Sequence, residues 1–288
     1  MANKKLKAPV NIPVEKIRPF EGHPYKVLDN DEMNNLIESI QQKGVISPIV
    51  VRPLENTTDE YEIISGHRRL RASVKAGLET VPAFIYAVSR DEAAIMLVDS
   101  NLHREHILPS ERAFAYKLKM EAMSRQGYRS DLTSCQVGAK LRTDEIIAEN
   151  STDSARQIQR YIRLTNLIPE LLNLVDEERI AFTPAVELSY LNEVEQADLV
   201  EEIRVCDATP NLSQAQRLRA ISREEGLTPE HIGEILSEEK ANQREKIKIP
   251  AERIRKYFPK SYTTEQIEEA IIKICESRYR ARQGRDAR

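Results

Sequence analysis

The sequence predicts an α+β protein: a small α/β domain first, an all-helical middle domain next, and a small C-terminal module last. Three observations carry that expectation. Strand-like and helix-like periods alternate up to about residue 90. Beyond Asp91 strand signals nearly vanish while apolar residues keep recurring at helical spacing. The 288 residues include no Trp, only nine Gly and 5% aromatics, a composition suited to helices and short connections rather than to a Gly-rich barrel or sandwich.

Taken in order, residues 11–17 read as a short extended segment. Asp29 to Asp31 supplies an acidic helix start, and Met33, Leu36, Ile37 and Ile40 repeat at helical spacing until Lys43-Gly44 stops the helix. Ile49-Val50-Val51 reads as a buried strand between Pro48 and Pro53. Residues 61–64 form a second strand that ends at Ser65-Gly66, where a helix opens and runs to Ala76-Gly77. A third strand covers residues 81–88. Helical patterns follow at 93–98, 112–123, 145–148, 155–168, 170–175 and 185–191, separated by breaks at Pro109, Gly127, Pro169 and Pro184. Residues 224–246 are polar and charge-rich, an exposed helix or linker. Residues 246–249 then look extended, and 263–279 look like an amphipathic helix with Ile267, Ile271, Ile274 and Cys275 on one face. The expected domains are therefore 1–108, 109–225 and 246–288, with 226–245 as linker and an Arg-rich tail at the end.

Composition narrows the function. Lys and Arg number 43 against 46 Asp and Glu, a net charge of −3, so any nucleic-acid contact must come from a local basic face. No apolar run approaches the ~20 residues of a membrane span, and residues 1–7 lack an apolar signal core, which predicts a cytoplasmic protein with no membrane partner. Cys135, Cys206 and Cys275 are scattered in no metal spacing and read as reduced thiols.

Two polar clusters carry chemistry. At Ser65-Gly66-His67-Arg68-Arg69 a strand ends in a glycine and opens directly into a helix, so the first helical N–H groups and the helix dipole face one point in space. Arg68, Arg69 and Arg71 add guanidinium forks suited to phosphate oxygens; the plainer alternative is that they form surface ion pairs. The second cluster, Asp99 to Glu105, offers Asn101 to a metal or phosphate and Arg104 as a further cation, or else is a solvated helix end.

Residues 144–164 form a helix-turn-helix pattern: a helix at 145–150, a polar turn at Ser151-Thr152-Asp153-Ser154, and a second helix at 155–164. Ile147, Ala148, Ile158 and Ile162 fall where the two helices would cross, and Ser154 is a ready N-cap. The outer face presents Arg156, Gln157, Gln159, Arg160 and Arg163, long donors matched to base edges in a major groove. An ordinary solvated face mixes acids with bases, yet residues 154–164 contain no Asp or Glu. The turn carries Ser151 and Thr152 where such motifs often have an apolar residue and Gly.

Ile17-Arg18-Pro19 to Met33, Gly44 to Arg52, Ser65 to Ala72 and Asn101 to Glu105 together resemble ParB, including its chromosomal and nucleoid-occlusion relatives, in order and spacing from about residue 10 to 190. The resemblance implies a ParB-like, sulfiredoxin-like N-terminal domain that binds CTP with Mg²⁺ and switches a DNA-loaded dimer into a sliding clamp. Gly66, His67, Arg68, Arg69 and Arg71 would then hold the triphosphate. Asn101, His103 and Arg104 would complete the site, with Asn101 toward the metal and His23 to Lys26 beside the base. Implied partners are double-stranded DNA bearing a centromere-like site on a plasmid or integrative element, a second copy of the chain joined through 246–288, and a ParA-type Walker ATPase.

Three positions depart from the family pattern. Many members have Gly-Glu-Arg-Arg at Gly66 to Arg69, Glu-Asn-x-Gln-Arg at Ser100 to Arg104, and Asn-Pro-x-Gln-Pro at Phe20 to Pro24. The missing carboxylate at Ser100 removes a hard oxygen ligand that Mg²⁺ favours, so the expected chemistry is nucleotide binding with at most weak CTPase activity. The same departures gather His23, His67 and His103, with nothing in the sequence to fix a transition-metal geometry. Two other functions stay open: a helix-turn-helix transcriptional regulator of a mobile element, and a ParB-like small-molecule kinase, which would not need the helices of the middle third. Sulfiredoxin chemistry needs a reactive Cys in this turn, and none lies between Met1 and Ser134.

Overall fold

The computed structural model describes residues 8–126 (except 56, 58, 103 and 105), 142–238, 254–259 and 261–286. Strand β1 (Val10–Pro13) is followed by a 3-10 turn (Val14–Lys16) and strand β2 (Ile17–Arg18), so the expected single extended segment is broken in two. Helix α1 (Asp31–Lys43) starts on Asn30, whose side chain accepts from the Met33 N–H, and ends at Gly44 in positive φ, as the pattern requires. Strands β3 (Ile49–Pro53) and β4 (Tyr61–Ser65), helix α2 (His67–Lys75) and strand β5 (Thr80–Ile85) complete the first half.

The sheet order is β1-β5-β3-β4-β2, with β1 antiparallel to β5, β5 parallel to β3, β3 antiparallel to β4 and β4 parallel to β2. Thus β1 and β2, neighbours in sequence, occupy opposite edges. In a flat sheet those edges would stand ~19 Å apart, whereas the steps from Pro13 to Ile17 reach at most ~14 Å. The sheet therefore curls. Its inner face buries Ile12, Ile17, Ile49, Val51, Ile63, Val81 and Ala83. The next residue of β4, Ile64, points the other way and packs with Ala93, Ala94, Leu97, Val98 and Ala115.

Helices supply the rest: α3 (Arg90–Asp99), α4 (Pro109–Arg125), α5 (Thr143–Glu149), α6 (Ala155–Leu164), α7 (Pro169–Asp176), α8 (Phe182–Leu188), α9 (Glu193–Cys206), α10 (Leu212–Glu224) and α11 (Pro229–Ser237). Pro109, Pro169 and Pro229 start their helices at a position whose N–H needs no intrahelical partner. Pro184, expected as a break, sits inside the first turn of α8 for the same reason. The break expected at Gly127 lies outside the described residues.

The linker expected over 226–245 is corrected. Within it α11 buries Ile232, Ile235 and Leu236 in the same apolar cluster as Leu199, Ile203, Ala215 and Leu218, and the first compact unit extends to Glu238. Its polar composition misled because a nine-residue helix with one buried face needs only three or four apolar residues. The second unit, from Glu239, includes helix α12 (Thr264–Asp286), on which Ile267 and Ile271 are half-buried while Ile274 and Cys275 are exposed. The extended segment expected at 246–249 lies outside the described residues. No helix among the described residues is long and apolar enough to cross a membrane.

Candidate functional site

The turn between β4 and α2 builds the site. Gly66 adopts φ 102°, a left-handed conformation; a Cβ here would meet the Ile49 side chain at 2.8 Å, so glycine is required on both counts. The turn opens onto a cavity of about 250 Å³ lined by His23, Tyr25, Lys26, Val27, Leu36, Ser65, Gly66, His67, Arg68, Arg69, Asn101 and Arg104. Four of these are cations and none is a carboxylate.

Arg69 is held by the Pro48 carbonyl (2.7 Å) and the Ser47 carbonyl, and burial disfavours its charged form. An anion in the cavity would restore what burial removes. Arg68 donates twice to Glu32 at 3.0 Å; both side chains are exposed, so this pair can exchange for a ligand at little cost. Arg71 is the exception. It does not line the cavity but forms a two-pronged pair with Asp29, which Lys75 also contacts at 2.8 Å. For Arg71 the ion-pair reading is the observed one: three residues after Arg68 is nearly a full helical turn, but the side chain is drawn toward the start of α1. These cations hold the Asp29 carboxyl down at about 2.

His23 and His67 stack with ring centroids 3.7 Å apart. His23 Nδ1 lies 2.8 Å from the Tyr25 carbonyl, which makes that nitrogen the proton donor, while the buried His67 Nε2 has no partner among the described residues. Burial and the neighbouring His23 and Arg104 push His67 down to about 3, and burial lowers His23 as well. Both rings are neutral at pH 7. Asn101 is buried, and its amide N–H groups go to the Leu97 carbonyl (2.7 Å) and Ser100 Oγ (3.2 Å), which leaves its carbonyl oxygen for the cavity. Arg104 lies 5.7 Å over the Tyr25 ring. His103 lies outside the described residues, and no group of three or more His, Cys, Asp or Glu among those described could hold a metal. Sequence reasoning missed Val27 and Leu36, and it missed Glu32 and Asp29 as partners of the arginines. The acids were visible, but as a helix start rather than as counter-charges.

The cavity loop is tied to the helical half. Lys26 reaches Asp176 of α7 at 3.1 Å, and its N–H donates to Glu111 of α4; Asp176 also accepts from the Ser110 hydroxyl at 2.6 Å.

The second site is the α5–α6 pair. Ile147 and Ile158 are fully buried against Tyr116 and Met123 of α4, with Ala148 and Ile162 at the margin. Ser154 caps α6 by accepting from the Gln157 N–H. The polar turn is braced by hydrogen bonds instead of apolar packing: Ser151 Oγ exchanges bonds with the Asp153 backbone, and Asp153 accepts from Tyr116 Oη (2.6 Å) and Arg112 (3.4 Å). Of the predicted base readers, Arg156 is exposed and makes no hydrogen bond, ion pair or ring contact among the described residues. Gln159 donates to the buried Asp144 of α5 at 3.0 Å. Arg160 bridges Gln157 and Thr183 and lies 4.9 Å over the Phe182 ring; Arg163 donates to the Ser189 carbonyl and lies 3.9 Å over the Tyr190 ring.

Residues 2–102 match the ParB N-terminal domain. A nucleoid occlusion protein of Listeria innocua is 32% identical over 195 residues, 67% of this chain and 62% of that protein, so the chain spans less than two thirds of that relative. Among solved structures it is similar to the C-terminally truncated chromosome-partitioning protein ParB from Caulobacter crescentus in two forms. The form complexed to the centromeric parS site gives 22% identity, 73% coverage of this chain, 98% of that one and a TM-score of 0.43. The form complexed with CTP-γ-S gives 25% identity, 69% and 99% coverage and a TM-score of 0.32. Over residues 2–102 the chain thus carries a match to the ParB N-terminal domain, and over two thirds of its own length it is similar to a nucleoid occlusion protein.

Proposed function

We propose that this chain is a dimeric, sequence-specific DNA-binding partition protein whose N-terminal cavity takes CTP with Mg²⁺ and thereby gates a clamp on a centromere-like site of a plasmid or integrative element. The observation that carries this reading is the pairing, within one compact unit, of a cation-lined cavity at a helix N-terminus with a recognition helix free of acidic residues. Arg68, Arg69, Arg104 and the first N–H groups of α2 suit a polyphosphate. The free carbonyl oxygen of Asn101 suits a hard cation, which would otherwise rest on the phosphates themselves. Bound there, Mg²⁺ would neutralise phosphate charge. None of the described lining residues is a carboxylate, and burial makes the His67 imidazole a weak base, so the described residues suit retention of the triphosphate over rapid hydrolysis.

Isothermal calorimetry with a nucleotide panel tests this. Arg69→Ala is expected to abolish triphosphate binding while initial binding to the DNA site survives, because the turn and the recognition helix are separate sites. Loss of both activities in a variant that still melts cooperatively would overturn the two-site reading. The exposed isoleucines of α12 support self-association through residues 246–288, with the Arg-rich tail adding salt-sensitive DNA affinity. A ParA-type ATPase fits as the partner that moves the complex.

A further inference from the structure

Two of the arginines predicted as base readers on α6 share one construction. Arg160 is laid on Phe182 at 4.9 Å, and Arg163 on Tyr190 at 3.9 Å. Both rings belong to α8 or the residues just after it. Tyr190 carries a second guanidinium, Arg219 of α10, at 3.5 Å from the same centroid. Two guanidinium carbons this close to one ring must occupy its opposite faces, since on one face they would collide. The result is a stack, Arg163–Tyr190–Arg219, in which Tyr190 as a residue remains 44% exposed.

The charge of this stack is under-compensated. Arg219 pairs with Glu187 at 2.7 Å, but among the described residues Arg163 has no carboxylate: it has one backbone carbonyl at 3.3 Å, and its buried Nε has no partner there. A stack serving only to join α6, α8 and α10 would be more stable with a second acid, because an unneutralised guanidinium beside another is repelled by it. Aromatic faces instead fix the direction of a guanidinium while leaving its charge available. A polyanion running along α6 supplies the missing counter-charge.

We infer that the DNA-binding surface extends beyond the helix-turn-helix across Tyr190 to α10, with Arg163 and Arg219 gripping phosphates of the duplex backbone and Tyr190 holding them in place. This rests on the proposed DNA-binding function and sharpens it. Arg156 and Gln157 read bases; Arg163 and Arg219 set register without reading sequence.

The test is a salt series of anisotropy titrations with full-length protein on two duplexes: one of random sequence, and one enriched from a randomised pool by the unmodified chain. Each phosphate contact contributes ~0.9 to the slope of log affinity against log salt, so Arg219→Gln is expected to reduce that slope by about one and weaken binding roughly 3- to 10-fold equally on both duplexes. Arg219→Lys should retain the slope, and Tyr190→Phe should behave as the parent. The double variant Glu187→Gln/Arg219→Gln should show the same loss, which excludes the freed carboxylate as its cause. An unchanged slope for Arg219→Gln, while Arg156→Ala still erases the preference for the enriched duplex, overturns the extended surface and leaves the proposed function standing. A parent chain that binds neither duplex overturns both.

Discussion

The two histidines of the cavity show how one side chain reports on its surroundings. His67 is held neutral in the fold, at about 3, against 6.5 when free. Above pH 6.5 it is neutral whether folded or unfolded and leaves stability untouched. Between 6.5 and 3 the unfolded chain takes a proton that the folded chain refuses, so stability falls as pH falls through that window. The expected loss is as much as ~2 kcal/mol between pH 7 and pH 5. Urea unfolding at both pH values checks it: His67→Gln should be less sensitive to pH by that amount, and equal sensitivity in variant and parent would remove the burial argument. Arg71 teaches the opposite lesson at the same scale. It shares its residue type and helix with Arg68, yet Asp29 decides where it points.

At the scale of elements, the turn between α5 and α6 departs from the usual helix-turn-helix in composition and compensates by hydrogen bonding. Asp153 is the residue on which this depends, since its carboxylate accepts from the buried Tyr116 hydroxyl, whose other hydrogen-bond neighbour among the described residues is the Ser151 hydroxyl. Asp153→Ala should cost ~1–3 kcal/mol in chemical denaturation. Tyr116→Phe in the same background should recover part of that loss, because the hydroxyl deprived of its carboxylate is then gone. If the double variant is no more stable than Asp153→Ala, the turn is held by something else. The capping boxes Asn192–Glu195 and Asn211–Gln214 make α9 and α10 legible from sequence, as a side chain three residues on returns to the cap N–H. That signal was present and went unread because the apolar pattern there is weak.

At the scale of the molecule, α11 decides where the first unit ends. A chain stopped at residue 225 loses Ile232, Ile235 and Leu236 from the core and uncovers Leu199 and Ile203, whereas a chain stopped at Glu238 keeps them. Burying a large aliphatic side chain contributes ~1.5–3 kcal/mol, so the shorter chain should melt far lower or not fold. The longer one should melt cooperatively and, lacking residues 246–288, sediment as a monomer at micromolar concentration. A dimer from the 1–238 chain would refute the assignment of self-association to the C-terminal module.

What the sequence determined by itself is local. Gly44 and Gly66, the Ser154 cap and the apolar periods of α1, α4 and α6 all act within about four residues, and each is where the pattern puts it. The likeness of residues 2–102 to the ParB N-terminal domain, likewise, was legible in short motifs at fixed spacing. The tertiary structure alone decided what meets across long separations. It put β1 and β2 at opposite edges of a curled sheet, turned Arg71 away from the cavity that takes Arg68 and Arg69, and drew a charged segment into the core as α11. It also laid Arg163 and Arg219, 56 positions apart in the numbering, on the two faces of one tyrosine. Such pairings depend on which surfaces pack together, and a side chain's partner across space leaves no periodic trace in its own neighbours along the chain.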